Sequence, residues 1–406
     1  MKNIIIAGAI ALVGMSGCTS KNQLVVTNPL AIDRADETLV ISRADMEAKF
    51  GATPDGLVPV LKLNGVAIPS QADDMDKNGQ WDELAFCLNF KASETVTLEV
   101  ENVPAEQYPQ FEKRTNLRLG IAQPDHSYLE VDQYFAPSCT DSFKIIAQGE
   151  SVSWENDKMG FRNYFDCRNV KDLFGKLKPG FIIDKIHTPE IPDYHTLSDW
   201  GMDVLHCGSS TGSGGLALIE NDSLYRLGST DIFEYQKVVE GPVRSVFDLK
   251  YSGWHVAGQN LTAVERIAIY QKQIVTGIVT SQLKNEPVDF DANSAYRSIA
   301  TLDKQSLNND ELGMAVLMKK DEVTKVARAS DIDFFSLGYK TVEEKKFSIV
   351  ISQMYYAAQG IQADKPARHY FFAVWGLENE KWKSMDNFKA YIASEAEMLS
   401  NPIRIE

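Results

Sequence analysis

The chain has 406 residues and a net charge of −15, with 44% hydrophobic and 10% aromatic content. That is enough apolar matter for one large domain, or one large and one small. The acidic field argues against nucleic acid as a partner. No stretch beyond the first residues is long and apolar enough to cross a bilayer as a helix.

Lys2 is the only charge in the first 20 residues, and an apolar run from Ile4 to Met15 leads into Met15-Ser-Gly-Cys18. A short apolar region behind a positive start is a secretory signal. Small residues before a cysteine predict cleavage after residue 17 and lipid attachment at Cys18, with residues 18–23 as a tether. The alternative is an ordinary signal peptide cut nearby. Thr19, rather than Asp, follows the cysteine; by resemblance to other lipoproteins, that favours the outer membrane. The expectation is a protein of the cell envelope, held to a membrane through lipid.

Beyond the leader the pattern is β. Thr95–Val100, Tyr128–Tyr134 and Val243–Tyr251 alternate with period two. Longer β-rich runs cover Thr262–Leu283, Lys346–Tyr356 and His369–Leu377. Gly, Pro and Asn/Asp clusters interrupt them at short intervals, as in a sandwich or stacked sheets. Helical periodicity is clearest at the end: Ser384 caps a helix whose Met385, Phe388, Ile392, Ala396 and Leu399 share one face, and Pro402 stops it. The predicted organisation is an N-terminal β region over 24–103, a soft boundary at Pro104–Pro109, and a main β domain over 110–406. Cys87, Cys139, Cys167 and Cys207 allow three full disulfide pairings, and nothing in the sequence chooses among them.

Asp74-Met-Asp76-Lys-Asn78-Gly79-Gln-Trp-Asp82-Glu83 places oxygen side chains where a calcium loop needs them, with Gly at the sharp turn. Ala85 stands where an EF-hand has its bidentate Glu. The stretch is therefore either a structural calcium site of Asp74, Asp76, Asn78, Asp82 and Glu83, or an acidic turn whose side chains cap their own backbone.

The second cluster runs from Trp154 to His206. It contains Trp154, Asp157, Arg162 and Tyr164, then His187, Tyr194, His195, Trp200, Asp203 and His206. Arg162 and Tyr164 share a strand face. Residues 186–195 hold two prolines, so they read as a loop. Arg for a carboxylate, aromatic rings for sugar faces and His or Tyr for proton exchange are the parts of an acidic-sugar site. A zinc site of His187, Glu190 and His195 has the wrong spacing. Gly208-Ser-Ser210-Thr-Gly212 matches a nucleophile-elbow string, but a strand rather than a helix is expected after it.

The stretches Asp73–Glu83, Trp154–Arg162, Tyr194-His195 with Trp200–Asp203, and Glu240–Arg244 resemble, in order, a lipoprotein family annotated only as a domain of unknown function. Its members occur in polysaccharide-utilisation clusters. The resemblance implies a β-supersandwich like that of galactose mutarotases, to which the residues themselves add the C-terminal helix and a small β-sandwich over 24–103. It also implies dehydratase or lyase chemistry on a terminal uronic acid. Thr196–Gly201 departs from a His-Gly-Glu-Gly-like run in relatives.

The expected function is β-elimination on uronate-containing oligosaccharides. It requires neutralisation of the carboxylate, a base for the C5 proton and an acid for the departing C4 oxygen. Arg162 or Arg244 is assigned to the carboxylate. His195 is the base and Tyr194 or Tyr164 the acid, or the reverse, with His187 and His206 in reserve. Trp154, Asp157, Trp200 and Asp203 are expected to touch substrate. No organic cofactor is needed. The alternatives are a mutarotase or epimerase using His and Asp203, and a lipid-anchored sugar-binding protein.

Overall fold

A computed structural model describes residues 22–136, 146–164, 169–208, 211–220, 223–227, 230–256, 258–271, 275–281, 296–303, 308, 310–319, 323–328, 333–335, 355–359 and 367–406. The leader, Cys18, Cys139, Cys167, Ser210 and most of the Lys346–Tyr356 run lie outside them.

The chain is all-β, built of several sheets with a C-terminal helix. Gln23–Thr27, Leu57–Leu63, Val66–Ala67 and Thr95–Pro104 form one sheet, and Arg34–Ser42, Ser70–Asp73 and Glu83–Phe90 form another. Leu24, Val26, Leu39, Ile41, Leu84, Phe86 and Leu98 meet in a common core between these two sheets. The first sheet gains an edge strand from the far end of the chain. Arg404–Ile405 pairs antiparallel with Gln23–Thr27, and Ile403 and Ile405 pack on the same core. A short helix, Arg43–Phe50, lies beside them. Ser42 accepts a hydrogen bond from the Asp45 N–H at 3.1 Å and caps it.

A second pair of sheets follows. The short sheet runs in the order Gly201–Asp203, Lys171–Lys176, Met159–Tyr164, Ser151–Asn156 and Thr115–Arg118. Among the described residues the long sheet has eight strands, with Arg244–Val256 and Gln259–Tyr270 near its middle and Ala367–Trp375 further along. The two pack face to face. Trp154 meets Phe247 at 5.1 Å between ring centroids, and Phe161 meets Phe371 edge-on at 5.6 Å. Period-two alternation sorts the last long strand: Phe371, Ala373 and Trp375 enter this core, whereas Phe372 and Val374 face the opposite side. There the helix Met385–Ser400 covers them with Phe388 and Ile392.

The predicted strand Tyr128–Tyr134 divides in two. Tyr128–Glu130 pairs with Gly120–Ala122, and Gln133–Ala136 joins the long sheet against Ile232–Glu240. The break is local: Val131 N–H donates to Leu119, and the Asp132 carbonyl accepts from Lys237 N–H. Cys87 and Cys207 are buried in different clusters and are not bonded to each other.

Candidate active site

The site lies on the outer face of the short sheet. Trp154, Phe161 and Leu173 point into the sandwich, so alternation turns Ser153, Glu155, Arg162, Asp172 and Lys176 outward. Each of these is buried nonetheless, because residues 177–200 fold over them. Ile182, Ile183, Ile186, Ile191 and Tyr194 pack on Phe174 from above. The cover is fixed by ionic anchors. Glu155 pairs with Lys176 at 2.5 Å and accepts the Ile182 N–H at 2.9 Å and the Ile183 N–H at 3.0 Å. Lys176 also donates to the carbonyls of Asn156 and Gly180.

Arg162 is the centre. It is fully buried, directly across from Asp172 in strand register. Its Nη2 donates to Asp172 Oδ2 at 2.8 Å, to Asp203 Oδ2 at 2.5 Å and to the Tyr164 hydroxyl at 2.7 Å. Nη1 donates to the Gly149 carbonyl at 3.1 Å and to the Tyr194 hydroxyl at 3.3 Å. The Tyr164 hydroxyl donates in turn to Asp172 Oδ2 at 2.8 Å. The guanidinium also stacks on the Tyr164, Phe174 and Tyr194 rings, at 4.5 to 5.1 Å from their centroids. Burial opposes its charge, but Asp172 and Asp203 outweigh that and hold its pKa well above the usual range.

His195 stands over this network and is exposed, with Nε2 3.5 Å from Asp203 Oδ2. Partial burial, then Arg162, pushes its pKa below the ordinary imidazole value. The Asp203 N–H donates to the Tyr194 carbonyl at 2.7 Å, so the strand and the covering loop hold each other in place. Tyr194 is buried, and that burial raises its phenol pKa. His187 is exposed at the rim, its ring 6.1 Å from that of Tyr194 and 6.3 Å from that of Tyr128. Glu150 and His187 both have positive φ, 61° and 59°. Backbone strain of this kind in non-glycine residues collects at functional sites.

The structure thus brings together Arg162, Tyr164, Tyr194, His195, Asp203 and His187. Trp200 packs edge-on to Phe174, 6.4 Å between centroids, at the margin. His206 is exposed after the last strand of the short sheet. Four expected site residues need correction. Trp154 is wholly buried and stacks on Phe161 inside the core, out of reach of a sugar. Arg162 is committed to the carboxyl groups of Asp172 and Asp203, so it organises the site instead of meeting a substrate carboxylate. Arg244 and Asp157 belong to the joint between the N-terminal sheets and the main body. Arg244 pairs with Asp73 at 2.7 Å and Glu83 at 2.6 Å, whereas Asp157 accepts from Arg114, which also holds Asp36. Asp172 went unremarked in the sequence because it lies in no motif.

The acidic loop closes on itself. Asp82 accepts from the N–H groups of Met75 and Asp76, and Asp74 from those of Asn78 and Gly79. Carboxylate oxygens of Asp74, Asp76 and Asp82 also converge within 4.8 Å, a geometry open to a hard cation. Glu83, by contrast, is committed to Arg244.

Comparison with known proteins supplies a relative to set beside this geometry. An uncharacterised protein, P7, of Formosa agariphila is 24% identical, with the match covering 100% of this chain and 99% of that one. The family profile described as a domain of unknown function, DUF4861, matches residues 26–405, and the chain belongs to that family.

Proposed function

We propose that this protein is a carbohydrate-active enzyme working by β-elimination, as a dehydratase or lyase, on oligosaccharides that carry uronic acid. The observation that carries the reading is the placement of His195. It is solvent-facing and inclined to stay unprotonated, and it sits beside the buried phenol of Tyr194 and the carboxyl of Asp203. A neutral imidazole takes the C5 proton, and a protonated tyrosine gives one to the departing C4 oxygen. Arg162 orients the Tyr164 and Tyr194 hydroxyls, and rim His187 is the group we assign to the sugar carboxylate. The broader setting we propose is a lipid anchor at Cys18, outer-membrane attachment, a supersandwich like that of galactose mutarotases and service in polysaccharide degradation.

The close approach of His195 to Asp203 also favours a second reading. A mutarotase or epimerase would use such an imidazole–carboxyl pair to move protons around an anomeric centre. The test is incubation of protein lacking residues 1–18 with uronic-acid oligosaccharides, following ultraviolet absorbance and mass together. New absorbance with loss of one water establishes a dehydratase, and absorbance with chain cleavage a lyase. Silence in both channels refutes elimination. His195→Ala is expected to abolish turnover while leaving ligand affinity within about threefold, a change of under ~1 kcal/mol.

A further inference from the structure

Two carboxyl groups and one guanidinium are shut together beneath His195. Asp172 and Asp203 each place Oδ2 on the same nitrogen, Arg162 Nη2, at 2.8 and 2.5 Å. All three side chains are at most 3% exposed. One positive charge cannot neutralise two carboxylates, and an uncompensated charge at this depth takes up a proton. The donors show which member does so. Asp172 Oδ2 receives Arg162 Nε, Arg162 Nη2 and the Tyr164 hydroxyl, and its Oδ1 receives the Leu173 N–H at 2.8 Å. That is the full provision of an ionised carboxylate. Asp203 has Arg162 Nη2, a long 3.4 Å contact from the Leu205 N–H to Oδ1, and His195.

We infer that Asp172 and Asp203 act as one carboxyl pair holding a single proton, and that this proton leaves His195 facing a neutral acid. Asp172 is then a positioning residue. By remaining ionised on Arg162 it keeps Asp203 protonated, and His195 has no carboxylate of opposite charge to lock it as imidazolium. The inference deepens the proposed function, since a base is useful only while unprotonated.

The other groups around the pair are accounted for. Tyr164 stands on the strand of Arg162, and the Cys207 thiol, raised by burial, faces Asp172 and Asp203. Tyr194, Asp193 and His195 come from the covering loop, and Glu150 from the turn before the neighbouring strand. Burial and the neighbouring Asp172 push Asp203 well above the usual carboxylate range, in the same direction as the donor count.

The test needs no substrate and is independent of whether turnover is ever found. Side-chain carboxyl carbons and imidazole nitrogens are followed by NMR across pH, with His195 assigned by loss of its signal in His195→Gln. At neutral pH the Asp203 carbon is expected at the position of a carboxylic acid, and His195 is expected to titrate below an ordinary histidine. In Asp172→Asn the guanidinium charge passes to Asp203, which ionises, and His195 binds its proton about tenfold more tightly. An ionised Asp203 in the unaltered protein overturns the inference, as does an unmoved His195 midpoint in folded Asp172→Asn. If that variant does not fold, the Asp203 carbon of the unaltered protein decides alone.

Discussion

Removing the carboxylate of Glu155 tests whether the cover over the site is held by charge or by its isoleucines. Glu155→Ala deletes the partner of Lys176 and the acceptor of two backbone N–H groups, Ile182 and Ile183, and of the Asn116 amide at 3.1 Å. Breaking a buried pair by removing one member costs about 3–5 kcal/mol, because the other charge stays buried. Lys176 keeps two carbonyls, at 2.7 and 2.6 Å, which places the loss towards the lower end. Two orphaned N–H groups add about 1–3 kcal/mol each if the cover stays closed. Together that is about 2–6 kcal/mol, comparable to the ~3–6 kcal/mol held by burying Ile182 and Ile183. The chain is therefore expected to lift residues 181–183 instead of burying them unpaired. Urea melts should show a loss of about 5 kcal/mol or more, about 3 from the pair and at least about 2 from the freed loop, and hydrogen exchange should accelerate at Ile182 and Ile183 before the sheet strands. A loss below about 1 kcal/mol with unchanged protection would refute the reasoning and leave the apolar patch as the true anchor.

Other consequences are equally open to measurement. Gly175→Ala would put a Cβ 2.4 Å from the Trp375 ring and 2.7 Å from Val204; overpacking there should cost about 1–3 kcal/mol or more in thermal melts. Burial raises the Glu378 carboxyl to about 7 from 4.5, and one of its oxygens is enclosed without a partner. The folded state thus favours the protonated form, so stability falls as pH rises from 4.5 to about 7. Glu378→Gln should abolish that slope and be more stable at pH above 7 by roughly 1–3 kcal/mol; identical pH–stability curves would refute it. Calcium held by Asp74, Asp76 and Asp82 should raise the melting temperature, and a chelator should reverse the rise. A melting temperature indifferent to both leaves the loop as a self-capped turn.

The sequence was most legible where a side chain's position in a repeat decides its surroundings. Alternation along Ala367–Trp375 separates the two cores, and the Ser384 cap starts the last helix where the structure has it. The helix at Arg43–Phe50 was missed although Ser42 and Asp45 form its cap, because only Met46 of that helix is buried. Alternation says which residues share a face but not what covers that face. Trp154 looked available for a sugar, and Arg162 for a carboxylate, since nothing in the spacing shows that one faces a second sheet and the other lies under a loop. Asp172 becomes visible only through the cross-strand register that sets it against Arg162.

The strand at Arg404–Ile405 gives the fold an order of assembly. Val25 and Glu406 exchange hydrogen bonds of 3.1 and 2.8 Å, so the first sheet waits for residues about 380 positions later in the chain, a long loop to close. Until then its outer edge offers unpaired backbone groups to any passing strand. A growing chain can complete this small sandwich only after everything between has been made. Bulk introduced directly beside Glu406 would therefore press on the seam that closes the N-terminal half of the molecule.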